Sequence, residues 1–195
     1  NQIKAYLYNK GAWDPKKEAS FTPSLCNRID RNTGGIVIAA KTAEALRVLN
    51  QKIKDRELDK RYLAIVEGTP KLQKGSLKGY LFKDANKNRV FVTDTPQTGS
   101  KSCQTNYKTL VSKNGLTLVE CELITGRTHQ LRVHCAHLGF PILGDPQYGN
   151  EESMAFSAEL GLESQILCAK KLQFVHPMTD EEMVLESRLD AVLKK

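Results

Sequence analysis

From Asp59 to Thr125 the chain consists of short apolar runs cut by Gly, Asn and Lys, and this pattern commits it to strands joined by tight turns. The stretch from Asp59 to Glu67 (DKRYLAIVE) reads as a strand closed by Gly68. Its Tyr62, Ala64 and Val66 share one face and Leu63 and Ile65 the other, so both faces are expected to be covered. Leu77 to Phe82, Arg89 to Thr93 and Thr105 to Val111 follow as hairpin strands, and Leu116 to Thr125 alternates as another.

Helical patterning flanks this block. Gly35 to Lys41 (GIVIAAK) predicts a buried strand after a Gly-Gly turn. Thr42 then caps a helix reaching about Arg56, with Ala45, Leu46, Leu49 and Ile53 as its inward stripe. Gly126 and Thr128 turn the chain into a short helix whose apolar face is Leu131, Cys135 and Leu138 and which Gly139 stops. Pro141 to Gly149 is too rich in Pro and Gly to be regular. Residues 151–163 read as a surface helix, with strands at Ile166 to Val175 and Met183 to Glu186. No repeat or linker divides the chain, which predicts one α+β domain over residues 1–195, a mostly antiparallel mixed sheet with flanking helices.

Composition narrows the class. The longest apolar run, Ile36 to Ala40, is far short of the roughly 20 residues of a bilayer span. The first residues mix charge with apolar side chains and lack the apolar core of a signal peptide. Five cysteines, widely spaced and without a C-x-x-C pair, fit a reducing compartment and not a Cys-built zinc site. A cytoplasmic monomer is expected. The net charge of +7 is unevenly spread: residues 1–150 carry 24 Lys and Arg against 13 Asp and Glu, whereas residues 151–190 carry 3 against 9. A basic body suits a polyanionic partner, although a solvated Lys-rich surface would give the same count.

Chemistry concentrates in three segments. In Asn27-Arg28-Ile29-Asp30-Arg31-Asn32-Thr33-Gly34-Gly35 a carboxylate stands between two guanidiniums on a turn; neighbouring cations keep a carboxylate ionised, but an Asx turn or surface ion pair reads the same way. In Lys60-Arg61-Tyr62, Tyr62 opens a strand on its inward face, where it is either a functional ring or a core tyrosine. In Gly126-Arg127-Thr128-His129-Gln130-Leu131-Arg132-Val133-His134 the polar residues include no acid, which suits phosphate or carboxylate partners or simply makes a basic helix face. His134 and His137 are one helical turn apart, but no nearby acid or third His completes a metal set. No Gly-rich phosphate loop or G-x-S-x-G is present, and neither cofactor nor metal is expected.

In this order and at these separations, the three segments resemble the signature of the RluA-type pseudouridine synthases. Asn27-Arg28-Ile29-Asp30 is similar to the family's His-Arg-Leu-Asp, with Asn27 where His is usual. Lys60, Tyr62 and Ala64 match its Lys-x-Tyr-x-Ala segment, and Gly126 to His134 match Gly-Arg-Thr-His-Gln-Leu-Arg-Val-His throughout. The family's Lys-Pro-x-Gly strand is missing upstream, which implies N-terminal truncation, and relatives often carry an S4-like RNA-binding module further upstream. The resemblance implies a pseudouridine synthase-like catalytic domain that isomerises uridine in RNA, ribosomal RNA first and transfer RNA second, without a cofactor. It implies Asp30 as nucleophile, Arg132 as its partner and Tyr62 against the target base. Arg28, Lys60 and Arg127 would contact RNA, and Leu167 would form an apolar wall. The readings set against this are a non-catalytic RNA-binding or ribosome-assembly factor of the same fold, and a metal-dependent nuclease using Asp30 and the histidines.

Overall fold

The computed structural model describes residues 2–84, 86–87 and 89–188. Its elements, in chain order, are α1 (Gln2–Asn9), β1 (Ser24–Leu25), β2 (Gly34–Gly35), β3 (Ala39–Ala40), α2 (Ala43–Lys54), β4 (Asp59–Glu67), β5 (Lys74–Asp84) and β6 (Arg89–Thr93). There follow β7 (Lys101–Lys113), β8 (Leu116–Leu123), α3 (Gln130–His137), α4 (Glu151–Glu159), β9 (Leu167–Val175) and β10 (Glu182–Glu186).

The main sheet runs β10-β9-β4-β8-β7-β5-β6, antiparallel throughout, and β2 adds a short parallel pairing on β9. The fold is therefore α+β with a mixed, mostly antiparallel sheet, as the alternation of apolar residues implied. The hairpin strands appear where turn residues bracket them, although β5 and β7 extend further than their apolar stretches.

Packing follows the faces of the strands. Tyr62, Ala64 and Val66 of β4 and Val119 and Cys121 of β8 meet Leu131 and Cys135 of α3, with Phe140 and Ile142 from the loop after it. Each fully buried aliphatic side chain in such a cluster is worth about 1.5–3 kcal/mol. The irregular Pro141 to Gly149 stretch is thus core, and Ile142 even makes an isolated bridge to Val66. A second cluster seats α2 and Leu58 on Leu172 and Phe174 of β9. Thr42 caps α2 by accepting a hydrogen bond from the Ala45 amide at 3.2 Å, worth about 1 kcal/mol.

Two expectations change. Gly35 to Lys41 is not one strand. Gly34 and Gly35 pair in parallel with Cys168 and Ala169, whereas Ala39 and Ala40 pair with β1. Between them the Asn27 side chain substitutes for a strand, its carbonyl accepting from the Ile38 amide at 2.8 Å and its amide donating to the Ile36 carbonyl at 3.5 Å. Among the described residues the far face of β4 is not covered either. Leu63 and Ile65 are only half-buried and, with Leu118 and Leu162, line an open groove of about 450 Å³. At the N-terminus, where no element was assigned from sequence, α1 forms with Leu7 as its buried residue.

Candidate active site

The loop carrying Arg28 and Asp30 runs from β1 to β2 and is tied down at three points. Asn27 holds its start through residues 36 and 38. Gln165 donates to the Arg31 carbonyl at 2.7 Å and to Thr33 Oγ1 at 3.3 Å. At its end Gly35 adopts φ +107° against β9, and a Cβ there would stand 2.3 Å from the Ala169 carbonyl oxygen, so no larger residue fits. A flexible surface turn would not need these anchors. They fix where the Asp30 carboxylate enters the molecule.

Lys60 and Tyr62, two apart on β4, project to the same face. Beside them the register with β9 shifts: Arg61 pairs with Lys171 but Tyr62 with Ala169, leaving Lys170 as an extra residue. Such a bulge increases local twist and re-aims the flanking side chains. The third segment is locked by Gln130, which is fully buried. Its carbonyl accepts from Thr125 Oγ1 at 2.8 Å and the Arg127 amide at 3.1 Å, while its NH₂ donates to the Gln104 carbonyl and Thr105 Oγ1.

These three segments converge on one cleft of about 420 Å³ at the seam between the two core clusters. Arg28, Asp30, Lys60, Tyr62, Arg127 and Leu167 all line it. Among the described residues the Asp30 carboxylate makes no side-chain hydrogen bond or ion pair, so its lone pairs are available to a ligand. Burial, and then the charge of Asp30, push the Tyr62 phenol up to about 12, which keeps it neutral near neutral pH. Burial lowers the Lys60 pKa, and neighbouring Arg56 lowers it further.

Arg132 stands apart from the cleft lining. Its Nε and Nη2 each donate to Asp145 at 2.7 Å, a two-pronged pair in which both side chains are buried. Asp145 also accepts from the amides of Gln147 and Tyr148. The guanidinium packs over the Tyr148 ring, 5.1 Å from its centroid. Burial opposes the charge on Arg132, but the bonds and charge of Asp145, with a further contribution from Asp30, raise its pKa. The direct partner of Arg132 is therefore Asp145, not the Asp30 expected from the resemblance; Asp30 acts on it through its field.

His129 joins the Arg132 pair through Tyr148. It enters α3 in the left-handed conformation at φ +54°, and its Nδ1 lies 3.0 Å from Tyr148 Oη. Burial lowers its pKa, partly countered by Asp30. His134, considered above as a ligand, is instead committed to the core, with Nε2 3.2 Å from Cys103 Sγ and Nδ1 2.9 Å from Thr105 Oγ1. Sequence reasoning gave no role to Asp145, Gln130, Gln165 or Tyr148. The available signal was position: Asp145 lies in the irregular Pro141 to Gly149 stretch shortly after the third segment.

An accessible carboxylate and a neutral buried aromatic thus share a basic-rimmed cleft on an α+β sheet. Residues 3–137 match the family model of RNA pseudouridylate synthase, and the chain belongs to that family. It is 36% identical over 182 residues to the ribosomal large subunit pseudouridine synthase C of Escherichia coli (strain K12), covering 92% of this chain and 56% of that protein. It is 37% identical over 173 residues to the uncharacterized RNA pseudouridine synthase YhcT of Bacillus subtilis (strain 168), covering 86% of this chain and 53% of that one. The chain thus spans about half the length of the curated relatives it matches. Two solved human structures share the fold. RNA pseudouridylate synthase domain containing 1 superposes with a TM-score of 0.71 at 24% identity, over 85% of this chain and 69% of that one. Domain containing 4 gives 0.70 at 25%, over 88% and 73%.

Proposed function

We propose that this chain converts uridine in RNA to pseudouridine, with ribosomal RNA as the substrate, and that Asp30 is its nucleophile. The observation that carries the reading is the convergence of a hydrogen-bond-free Asp30 carboxylate and the neutral Tyr62 ring on one cleft. The choice of ribosomal RNA is supported by relatives named for the large ribosomal subunit.

The reaction is balanced within the substrate. The C1′–N1 bond breaks, the uracil turns, a C1′–C5 bond forms, C5 loses its hydrogen and N1 gains one. No redox equivalent or second substrate enters. Asp30 supplies the electron pair that holds the intermediate, by attack at C1′ or at uracil C6, and is regenerated when the new bond closes. A uridine inside a helix is out of reach, so it is flipped into the cleft at a cost of a few kcal/mol, which stacking on Tyr62 and contact with Leu167 help to offset. Arg28 fills the space the base vacates. Lys60 and Arg127 hold phosphates at the rim. Arg132, fixed by Asp145, interacts with the charge of Asp30 and orients it from outside the cleft lining.

Unmodified ribosomal RNA incubated with the chain acquires pseudouridine at defined positions. The Asp30→Asn variant, folded and still RNA-binding, forms it more than about a thousand-fold more slowly. An unmodified rate in that variant removes Asp30 from the chemistry.

A further inference from the structure

The charged side chains divide into two sets. Arg61 is engaged by Asp59, Glu120 and Glu122, Lys52 by Glu57, Lys170 by Glu186 and Arg132 by Asp145. Arg28, Lys60 and Arg127 at the cleft have no ion-pair partner among the described residues, and the same holds for Arg56 and Lys78 and for cations elsewhere, such as Lys74 and Lys108.

Arg56 and Lys78 line a second recess, of about 270 Å³, with Tyr80, Asp94, Ser102 and Gln104. Three contacts place it beside the cleft. Arg127, on the cleft wall, donates from Nε to the Ser102 carbonyl at 3.2 Å. Thr125, which lines the recess, hydrogen-bonds Gln130, which lines the cleft. Arg56, in the recess lining, lies close enough to Lys60, in the cleft lining, for its charge to lower the Lys60 pKa. Arg56 and Lys60 repel, with Asp94 the acid in the recess lining, and an anion placed between them relieves the repulsion. Tyr80 adds an aromatic side chain to a basic groove, the combination that tracks single-stranded nucleic acid.

We propose that this recess holds the RNA strand flanking the target uridine, with Arg56 and Lys78 on consecutive backbone phosphates and Tyr80 beside a neighbouring base. The recess continues the rim formed by Lys60 and Arg127, so the strand leaves the cleft over β5 and β7. This rests on the isomerase reading above, and its test separates the two.

Two measurements are made on the whole chain and on the variant Arg56→Ala/Lys78→Ala. The first is affinity for a single-stranded RNA lacking uridine, as a function of salt. Loss of two phosphate contacts lowers the magnitude of the log-affinity slope by about 1.4. The second is pseudouridine formation, in which KM rises about tenfold and the loss falls on KM. The control Lys74→Ala/Lys108→Ala alters cations of another groove, one that Glu120 and Glu122 also line, and leaves both readings at parental values. An unchanged salt slope and KM in Arg56→Ala/Lys78→Ala overturn the proposal, as does a defect seen with poly-glutamate but not RNA, which would make the recess a site for acidic protein. Absence of pseudouridine with the parental chain overturns the isomerase reading alone, because the uridine-free RNA still reports on the recess.

Discussion

Replacing Asp145 with Asn preserves volume but removes the charge that neutralises Arg132. In the parent, Asp145 takes two N–H bonds from the guanidinium at 2.7 Å, with Arg132 6% and Asp145 1% exposed. An asparagine keeps one acceptor and turns an NH₂ toward a group that only donates. Breaking a buried pair on one side costs about 3–5 kcal/mol, because the remaining charge is stranded. Arg132 retains the Tyr148 ring face and the field of Asp30, so the lower end, about 3 kcal/mol, is expected. With a urea slope of about 2 kcal/mol/M, the midpoint measured by far-UV circular dichroism falls by about 1.5 M. The double variant Arg132→Met/Asp145→Leu removes both charges but also the acceptor of the buried Tyr148 amide, so it recovers only part of that loss. A midpoint in Asp145→Asn within about 0.3 M of the parent would refute the reasoning, since it would mean that the pair is solvated or that Asp30 replaces Asp145 at no cost.

Other consequences follow from the same structure. Burial first, and His137 second, hold the His134 pKa at about 4, whereas an unfolded imidazole titrates near 6.5. The unfolded state therefore binds more protons between those values, and stability falls as pH drops from about 6.5 to about 4, by up to roughly 3 kcal/mol. Urea midpoints against pH check this; His134→Gln flattens that part of the curve, and superimposable curves count against it. Gly35→Ala places a Cβ 2.3 Å from the Ala169 carbonyl oxygen at φ +107°, so it costs about 2 kcal/mol or more and slows turnover by shifting Asp30. Parental stability and rate would show that the loop is not anchored there. Tyr62→Phe keeps the ring and holds KM near the parental value, while Tyr62→Ala raises it roughly tenfold; equal KM values in the two variants exclude stacking.

The sequence was most legible where a local period reports on burial. The Arg89 to Thr93 strand matches its expected limits, and the Thr42 cap and the inward stripe of α2 match theirs, because each depends on neighbours within a few residues. Gly35 to Lys41 misled because its apolar residues suit a strand while its hydrogen bonds go to a side chain eleven residues back, which no periodicity records. The open far face of β4 was hidden for a related reason: Leu63 and Ile65 have the composition of buried residues whether or not anything covers them. Most of the residues singled out for the site meet in one cleft, since they lie in three short segments that the fold brings together. Arg132 is different. Its partner lies thirteen residues away across α3 and an irregular loop, a pairing set by tertiary packing. Arg56 and Lys78 went unnoticed because, in sequence, an unpaired cation looks the same as a paired one.

Loss of the C5 hydrogen is the most direct readout of the proposed isomerisation. Ribosomal RNA made with uridine tritiated at C5 releases tritium to water only where C5 gives up its hydrogen. Steady release by the parental chain is expected, matched one to one by pseudouridine formed, with release from Asp30→Asn more than about a thousand-fold slower although that variant is folded and binds the RNA. Equal release from the two proteins would contradict the role of Asp30.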